Sequence, residues 1–201
     1  MVPFLDPLFD VLVLDDPFFG QAQGPESIQQ WAEIYLVHVQ ERLVNRSGST
    51  LVFGGYSLGG LIAYEMASLW HSRHDQYPAL LLLLDAAMYV SYAGNDNELE
   101  YGLTLFGQDQ KQMVHDHYSK ISPLNKREPS TIKPYLGSCF CLLTPESYDK
   151  GAAAWWSKRC PSLQVDSIDC SHHDLIGKSS IGEVGRRVNE RCTEALKSWS
   201  G

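Results

Sequence analysis

Thr50-Leu51-Val52-Phe53-Gly54-Gly55-Tyr56-Ser57-Leu58-Gly59-Gly60 decides how the rest of the chain is read. An apolar run, Thr50 to Phe53, enters a Gly-x-Ser-x-Gly pentapeptide, Gly55 to Gly59, and a helical stretch, Leu61 to Trp70, leaves it. Strand, sharp turn and helix in that order form a nucleophile elbow, in which the turn holds the serine in a strained backbone conformation. Gly55 and Gly59 are expected to lack the Cβ atoms that would collide where strand and helix approach. Ser57 is therefore the first candidate for chemistry.

A serine hydroxyl is a weak nucleophile at neutral pH, so the elbow predicts a histidine base and a carboxylate that orients it. For a parallel sheet of the hydrolase type the expected chain order is Ser, then Asp or Glu, then His. Ala79 to Leu84 is a wholly apolar run, the pattern of a strand buried on both faces, and it ends at Asp85. An acid at the carboxyl end of such a strand lies on the edge where open α/β folds place their sites, although Asp is also common as a turn cap. Leu163 to Ile168 alternates apolar and polar residues like a further strand, and Cys170-Ser171-His172-His173-Asp174 follows as a loop. His172 and His173 compete for the role of base. Asp174 is a rival acid, but its adjacency to both makes it awkward as a buried orienter.

The rest of the chain fits one α/β domain over residues 1–201. Asp10 to Asp15 reads as a strand, Asp16 to Pro25 as a loop, and Ser27 to Val44 as a helix with Ile28, Trp31, Ile34, Tyr35 and Val39 at helical spacing. Alternating strands and helices imply a mostly parallel sheet covered on both faces. The interval from about 88 to 138 breaks that rhythm, with short helices expected over 98–106 and 108–118. An insertion after the acid-bearing strand would overhang the site as a helical lid. Met88, Tyr89, Leu103, Phe106 and Met113, with Tyr56 beside the serine, are the candidates for lining a substrate pocket.

Composition narrows the function classes. Of 201 residues, 44% are hydrophobic and 20% charged, as in an ordinary globular protein. A net charge of −8 argues against a nucleic-acid or anionic-membrane surface, and no apolar run approaches a membrane span. Met1 is followed by Pro3, Asp6 and Asp10 without a basic leader, which predicts no signal peptide and a cytoplasmic location. Five irregularly spaced cysteines fit a reducing compartment. Cys139 and Cys141, two apart in an apolar run, are expected on one face of a strand as small buried hydrophobes, with no zinc set to complete them. No metal site is expected, and oligomeric state is left open.

With these residues in place, the chain resembles the thioesterase domains that end polyketide synthases and non-ribosomal peptide synthetases. The resemblance rests on Gly54 to Gly60 running into Ile62-Ala63-Tyr64-Glu65-Met66-Ala67, on Pro25 to Ile28 opening the preceding helix, on Asp85, and on Trp155 or Trp156 before the last strand. In that family the histidine sits in a Gly-x-His-aromatic-x-Met/Leu-Leu pattern, which aligns with Cys170 to Ile176 and selects His172 over His173. The resemblance implies an α/β-hydrolase fold and an acyl-serine mechanism. Ser57 would take an acyl or peptidyl chain from the phosphopantetheine thioester of an acyl or peptidyl carrier protein, with His172 as base, Asp85 as its orienter and no cofactor of the domain's own. The Leu58 N–H would be one oxyanion-hole donor. Family members carry a further strand and a Gly-rich loop upstream of the strand read at Asp10 to Asp15, and that loop donates the second N–H. The present sequence is short there, which reads either as a truncation or as a reduced enzyme whose second donor comes from a substitute such as the Pro17 to Gly20 loop. Rival readings are a free-standing esterase on soluble substrates and a catalytically impaired binding module.

Overall fold

The computed structural model describes residues 2–21, 23–44, 46, 48–86, 110, 112–113, 115–116 and 134–199. Four parallel strands, β1 (Val52–Tyr56), β2 (Leu80–Leu84), β3 (Cys139–Leu143) and β4 (Leu163–Ser167), pair in chain order. Helices α1 (Ile28–Leu43), α2 (Leu58–His74), α3 (Pro145–Asp149), α4 (Ala152–Ser157) and α5 (Ile181–Trp199) connect and cover them. A short 3₁₀ turn, His173–Ile176, leads into α5.

All five residues of β2 and of β3 are buried, which explains why both read as unbroken apolar runs. Their side chains alternate between two cores. Leu81, Leu83, Cys139, Cys141 and Leu143 pack against α1, α2 and α4, while Leu80, Leu82, Leu84, Phe140 and Leu142 meet Val184, Val188 and Cys192 of α5. The parallel, doubly covered α/β sheet expected from the alternation is thus the one observed, with Cys139 and Cys141 on one face. Among the described residues no helix is long and apolar enough to cross a membrane.

Helix boundaries follow local chemistry. Ser27 caps α1 through a hydrogen bond from Gln30 N–H to its Oγ, and Trp31, Tyr35 and Val39 then bury one face. Helix α2 starts directly at Leu58, and its continuation to His74 ends on Asp75 in a left-handed conformation.

Asp10 to Asp15, expected as a strand, is irregular backbone that pairs with no strand among the described residues. Val11, Leu12 and Val13 are 38 to 59% exposed, and Asp10 forms ion pairs with Arg42 and Arg46. A cavity of about 750 Å³, lined by Leu8, Val11, Val13, Val52, Phe53 and Leu82 among others, lies between this segment and β1. Strand propensity alone does not make a strand; a ladder needs a neighbour about 4.8 Å away, and among the described residues this segment pairs with none. The interval expected as a lid falls mostly outside the described residues, as do Met88, Tyr89, Leu103 and Phe106 and the helix expected over 98–106. Of the helix expected over 108–118, residues 112–113 and 115–116 are helical.

Candidate active site

The carboxyl ends of β1 and β2, together with the loop after β4, converge on one rim of the sheet. Ser57 leaves β1 with φ +53°, a conformation that L-residues with a Cβ rarely adopt, and α2 begins at the next residue. Its N–H reaches the Leu84 carbonyl on β2, so the strained residue is tied to the sheet. The close approach of strand and helix is absorbed by Gly55, where a Cβ would lie 2.1 Å from the Gly59 carbonyl oxygen, and by Gly60, where it would lie 2.4 Å from the Ala86 Cβ. Gly59 does not share this role. A Cβ there would meet nothing within 4 Å among the described residues.

Asp85 follows β2 in a left-handed conformation of its own, φ +47°, and is 1% exposed. Its N–H donates to Leu142 O, which anchors the turn on β3. The carboxylate accepts the Thr144 N–H at 2.8 Å and the Thr144 hydroxyl at 3.0 to 3.1 Å. Its Oδ2 lies 2.6 Å from His172 Nδ1. Burial pushes the Asp85 carboxyl up, but the hydrogen bonds from His172, Thr144 and Ser147 and the attraction of the imidazole outweigh it and hold the group below the usual carboxylate range. An ionised acid against Nδ1 fixes the tautomer with its proton on Nδ1 and leaves Nε2 as an acceptor.

That Nε2 lies 3.2 Å from Ser57 Oγ. The structure therefore brings together Ser57, Asp85 and His172, residues separated by up to 115 positions, in one hydrogen-bonded line. His173 turns aside: its ring meets that of His172 edge-on at 5.5 Å. Asp174 is engaged with Ser171, accepting its hydroxyl at 2.7 Å. The Leu58 N–H lies in the first turn of α2, where no intrahelical acceptor exists, and the partial positive charge of the helix end faces the same rim. The 16–20 segment is a turn that spends the Phe18 and Phe19 N–H groups on Asp16.

Thr144 escapes sequence reasoning, and Trp156 enters it only as a landmark of the resemblance, without a role at the site. Thr144 is fully buried and both holds Asp85 and caps α3 through the Ser147 N–H. Trp156, also fully buried, donates its indole N–H to the Ala86 carbonyl and so pins the residue after Asp85. The Asp85 pairing depends on a contact 59 positions away, and the Trp156 pairing on one 70 positions away, which local spacing does not reveal. Tyr56, expected as a pocket-lining residue, lines the cavity of about 750 Å³ and also has its ring against His172. Met113 sits beside the 16–20 turn, since a Cβ on Gly20 would fall 2.6 Å from its sulfur. Among the described residues no group of three or more His, Cys, Asp or Glu could hold a metal ion.

Comparison with known proteins places the chain in a family. Residues 3–108 match the Thioesterase domain family. The chain is 31% identical over 199 residues, 96% of its length, to the nonribosomal peptide synthetase agiA of Aspergillus flavus, and it spans about 2% of that protein. Among solved structures, the NocB thioesterase domain, captured in a covalent complex with a fluorophosphonate nocardicin G analogue, superposes with a TM-score of 0.71 at 24% identity, covering 88% of this chain and 80% of that one. YbtT, a type II thioesterase from the yersiniabactin NRPS/PKS pathway, superposes with a TM-score of 0.59 at 14% identity over 85% of this chain and 75% of its own. At those identities the structural likeness speaks for the α/β-hydrolase fold, while the match over more than half of the chain and the 31% identity speak for the family. The chain belongs to the thioesterase domain family.

Proposed function

We propose that the domain releases an acyl or peptidyl chain from the phosphopantetheine thioester of a carrier protein, using Ser57, His172 and Asp85. The observation that carries this reading is the line from Asp85 Oδ2 to His172 Nδ1 at 2.6 Å and from His172 Nε2 to Ser57 Oγ at 3.2 Å. The names of the relatives, a nonribosomal peptide synthetase and thioesterases of biosynthetic pathways, support the carrier-bound substrate.

In the first half-reaction Ser57 Oγ attacks the thioester carbonyl carbon as its proton passes to His172 Nε2. The Leu58 N–H donates to the developing oxyanion. Collapse breaks the C–S bond, the imidazolium returns its proton to the departing sulfur, and the chain is left as an ester on Ser57. In the second half-reaction water, or a nucleophile within the acyl chain, attacks that ester and Ser57 Oγ recovers its proton through His172. The pantetheine arm belongs to the carrier, so the domain supplies no cofactor.

Fluorophosphonate labelling followed by turnover of an acyl-pantetheine thioester tests the reading. A stoichiometric adduct on Ser57, absent in Ser57→Ala, together with thioester cleavage is the expected result. A folded wild-type protein with no adduct is a binding module, and one that labels and cleaves aryl esters but not the thioester is an esterase for other substrates.

A further inference from the structure

We infer that Tyr56 is a positioning residue for His172, and that its place in the elbow matters through the imidazole rather than through the acyl chain. The inference rests on the proposed serine mechanism and names a residue that this mechanism depends on.

Two separate contacts run from one side chain. The Tyr56 hydroxyl donates to the His172 carbonyl oxygen at 2.8 Å, across 116 positions of sequence. Its ring stacks on the imidazole with centroids 4.7 Å apart and planes 26° from parallel. Tyr56 is also the covalent neighbour of Ser57 and the last residue of β1, so its backbone moves with the nucleophile. The hydroxyl therefore fixes the loop that carries the base relative to the strand that carries the serine.

The stack supplies what Asp85 does not. A hydrogen bond at Nδ1 sets where that nitrogen points but permits the ring to tilt about the bond, and a tilt swings Nε2 away from Ser57 Oγ. A face-on aromatic neighbour restricts that tilt. Its π face is also the negative end of the ring quadrupole, which favours the imidazolium formed as Ser57 loses its proton. Because misplacing a reacting group by about 1 Å can cost on the order of a hundredfold in rate, a residue that fixes the plane of the base is worth as much as one that binds substrate.

The test measures inactivation by an alkyl fluorophosphonate, in which Ser57 Oγ bonds to phosphorus, fluoride leaves and His172 takes the hydroxyl proton. Replacing Tyr56 by phenylalanine keeps the stack and removes the hydroxyl; the maximal inactivation rate is expected to fall about three- to tenfold. Tyr56→Leu removes both contacts and is expected to lower it on the order of a hundredfold. The concentration for half-maximal inactivation is expected to stay within about twofold in both variants. On a His172→Ala background Tyr56→Leu is expected to change the residual rate by less than about twofold, since the group it acts through is gone.

An equal loss on both backgrounds, or a changed half-saturation that depends on alkyl length with an unchanged maximal rate, overturns the inference and makes Tyr56 a structural or substrate-lining residue. Should Tyr56→Leu fail to fold, Tyr56→Phe decides, and an unchanged maximal rate there overturns it. A folded wild type that never labels removes the serine mechanism and this inference with it, whereas a labelled wild type matched by Tyr56→Leu removes the inference alone.

Discussion

Asp85 and His172, 87 positions apart, meet through a 2.6 Å contact between Oδ2 and Nδ1, with the carboxylate side chain fully shielded and the imidazole 14% exposed. A buried ionised acid is costly unless its oxygens are satisfied, and here the Thr144 N–H and hydroxyl satisfy the rest. The acid is thus held charged by the protein before any substrate arrives, and one side of the base is permanently engaged.

Replacing the acid by its amide tests that arrangement. Asp85→Asn puts a group that can also donate against Nδ1, so the tautomer with Nδ1 protonated is no longer enforced. Turnover is expected to fall by roughly a thousandfold or more, read as kcat on an acyl-pantetheine thioester. A loss below tenfold would show that the imidazole is oriented by other contacts.

The same group gives a pH dependence of stability. The folded-state pKa of Asp85 is depressed below its unfolded value, so its stabilising contribution is complete above the ordinary aspartate range, near pH 4, and is lost as pH falls through the folded value. Urea denaturation from pH 7 to pH 3 is expected to show stability declining at the acid end. Asp85→Asn is expected to decline less steeply over that window, and parallel slopes would place the acid sensitivity elsewhere.

Thr144 is expected to matter for both stability and rate. Thr144→Val keeps the shape and the backbone donor but removes a hydroxyl that serves a buried carboxylate and the start of α3. The loss is expected to be about 2 kcal/mol of unfolding free energy, with a fall in kcat of about tenfold. Thr144→Ser, which restores the hydroxyl, is expected to recover most of both.

The two neighbouring histidines separate cleanly by geometry. His172→Ala is expected to slow Ser57 acylation by a fluorophosphonate probe by about a thousandfold or more, leaving only a small residual rate. His173→Ala is expected to retain more than half of the wild-type rate, since its ring meets His172 only edge-on. The reverse outcome would shift the register of the base by one residue.

Backbone strain at the nucleophile predicts a trade between function and stability. Ser57→Gly removes the Cβ from a residue at φ +53° and is expected to raise unfolding free energy by about 1 kcal/mol while eliminating labelling. Ser57→Ala eliminates labelling too but keeps the strain, and its urea midpoint is expected to remain near that of the wild type.

What the sequence determined was whatever is written in short stretches. The apolar runs of β2 and β3 declared a doubly covered parallel sheet because a strand buried on both faces has no polar side to show. The Gly54 to Gly60 elbow declared its turn because steric exclusion at Gly55 is a property of adjacent residues. Even there Gly60, not Gly59, carries the second close approach, since which helical Cα faces the strand depends on how α2 is rotated. Tertiary structure alone decided the rest. The apolar run Val11 to Leu14 has strand propensity but no ladder neighbour among the described residues, and Thr144, Trp156 and Tyr56 acquired their roles through partners 59, 70 and 116 positions away. Such roles are set by where the sheet brings distant loops together, and hydrogen bonds of fixed length across folded space leave no period in the chain.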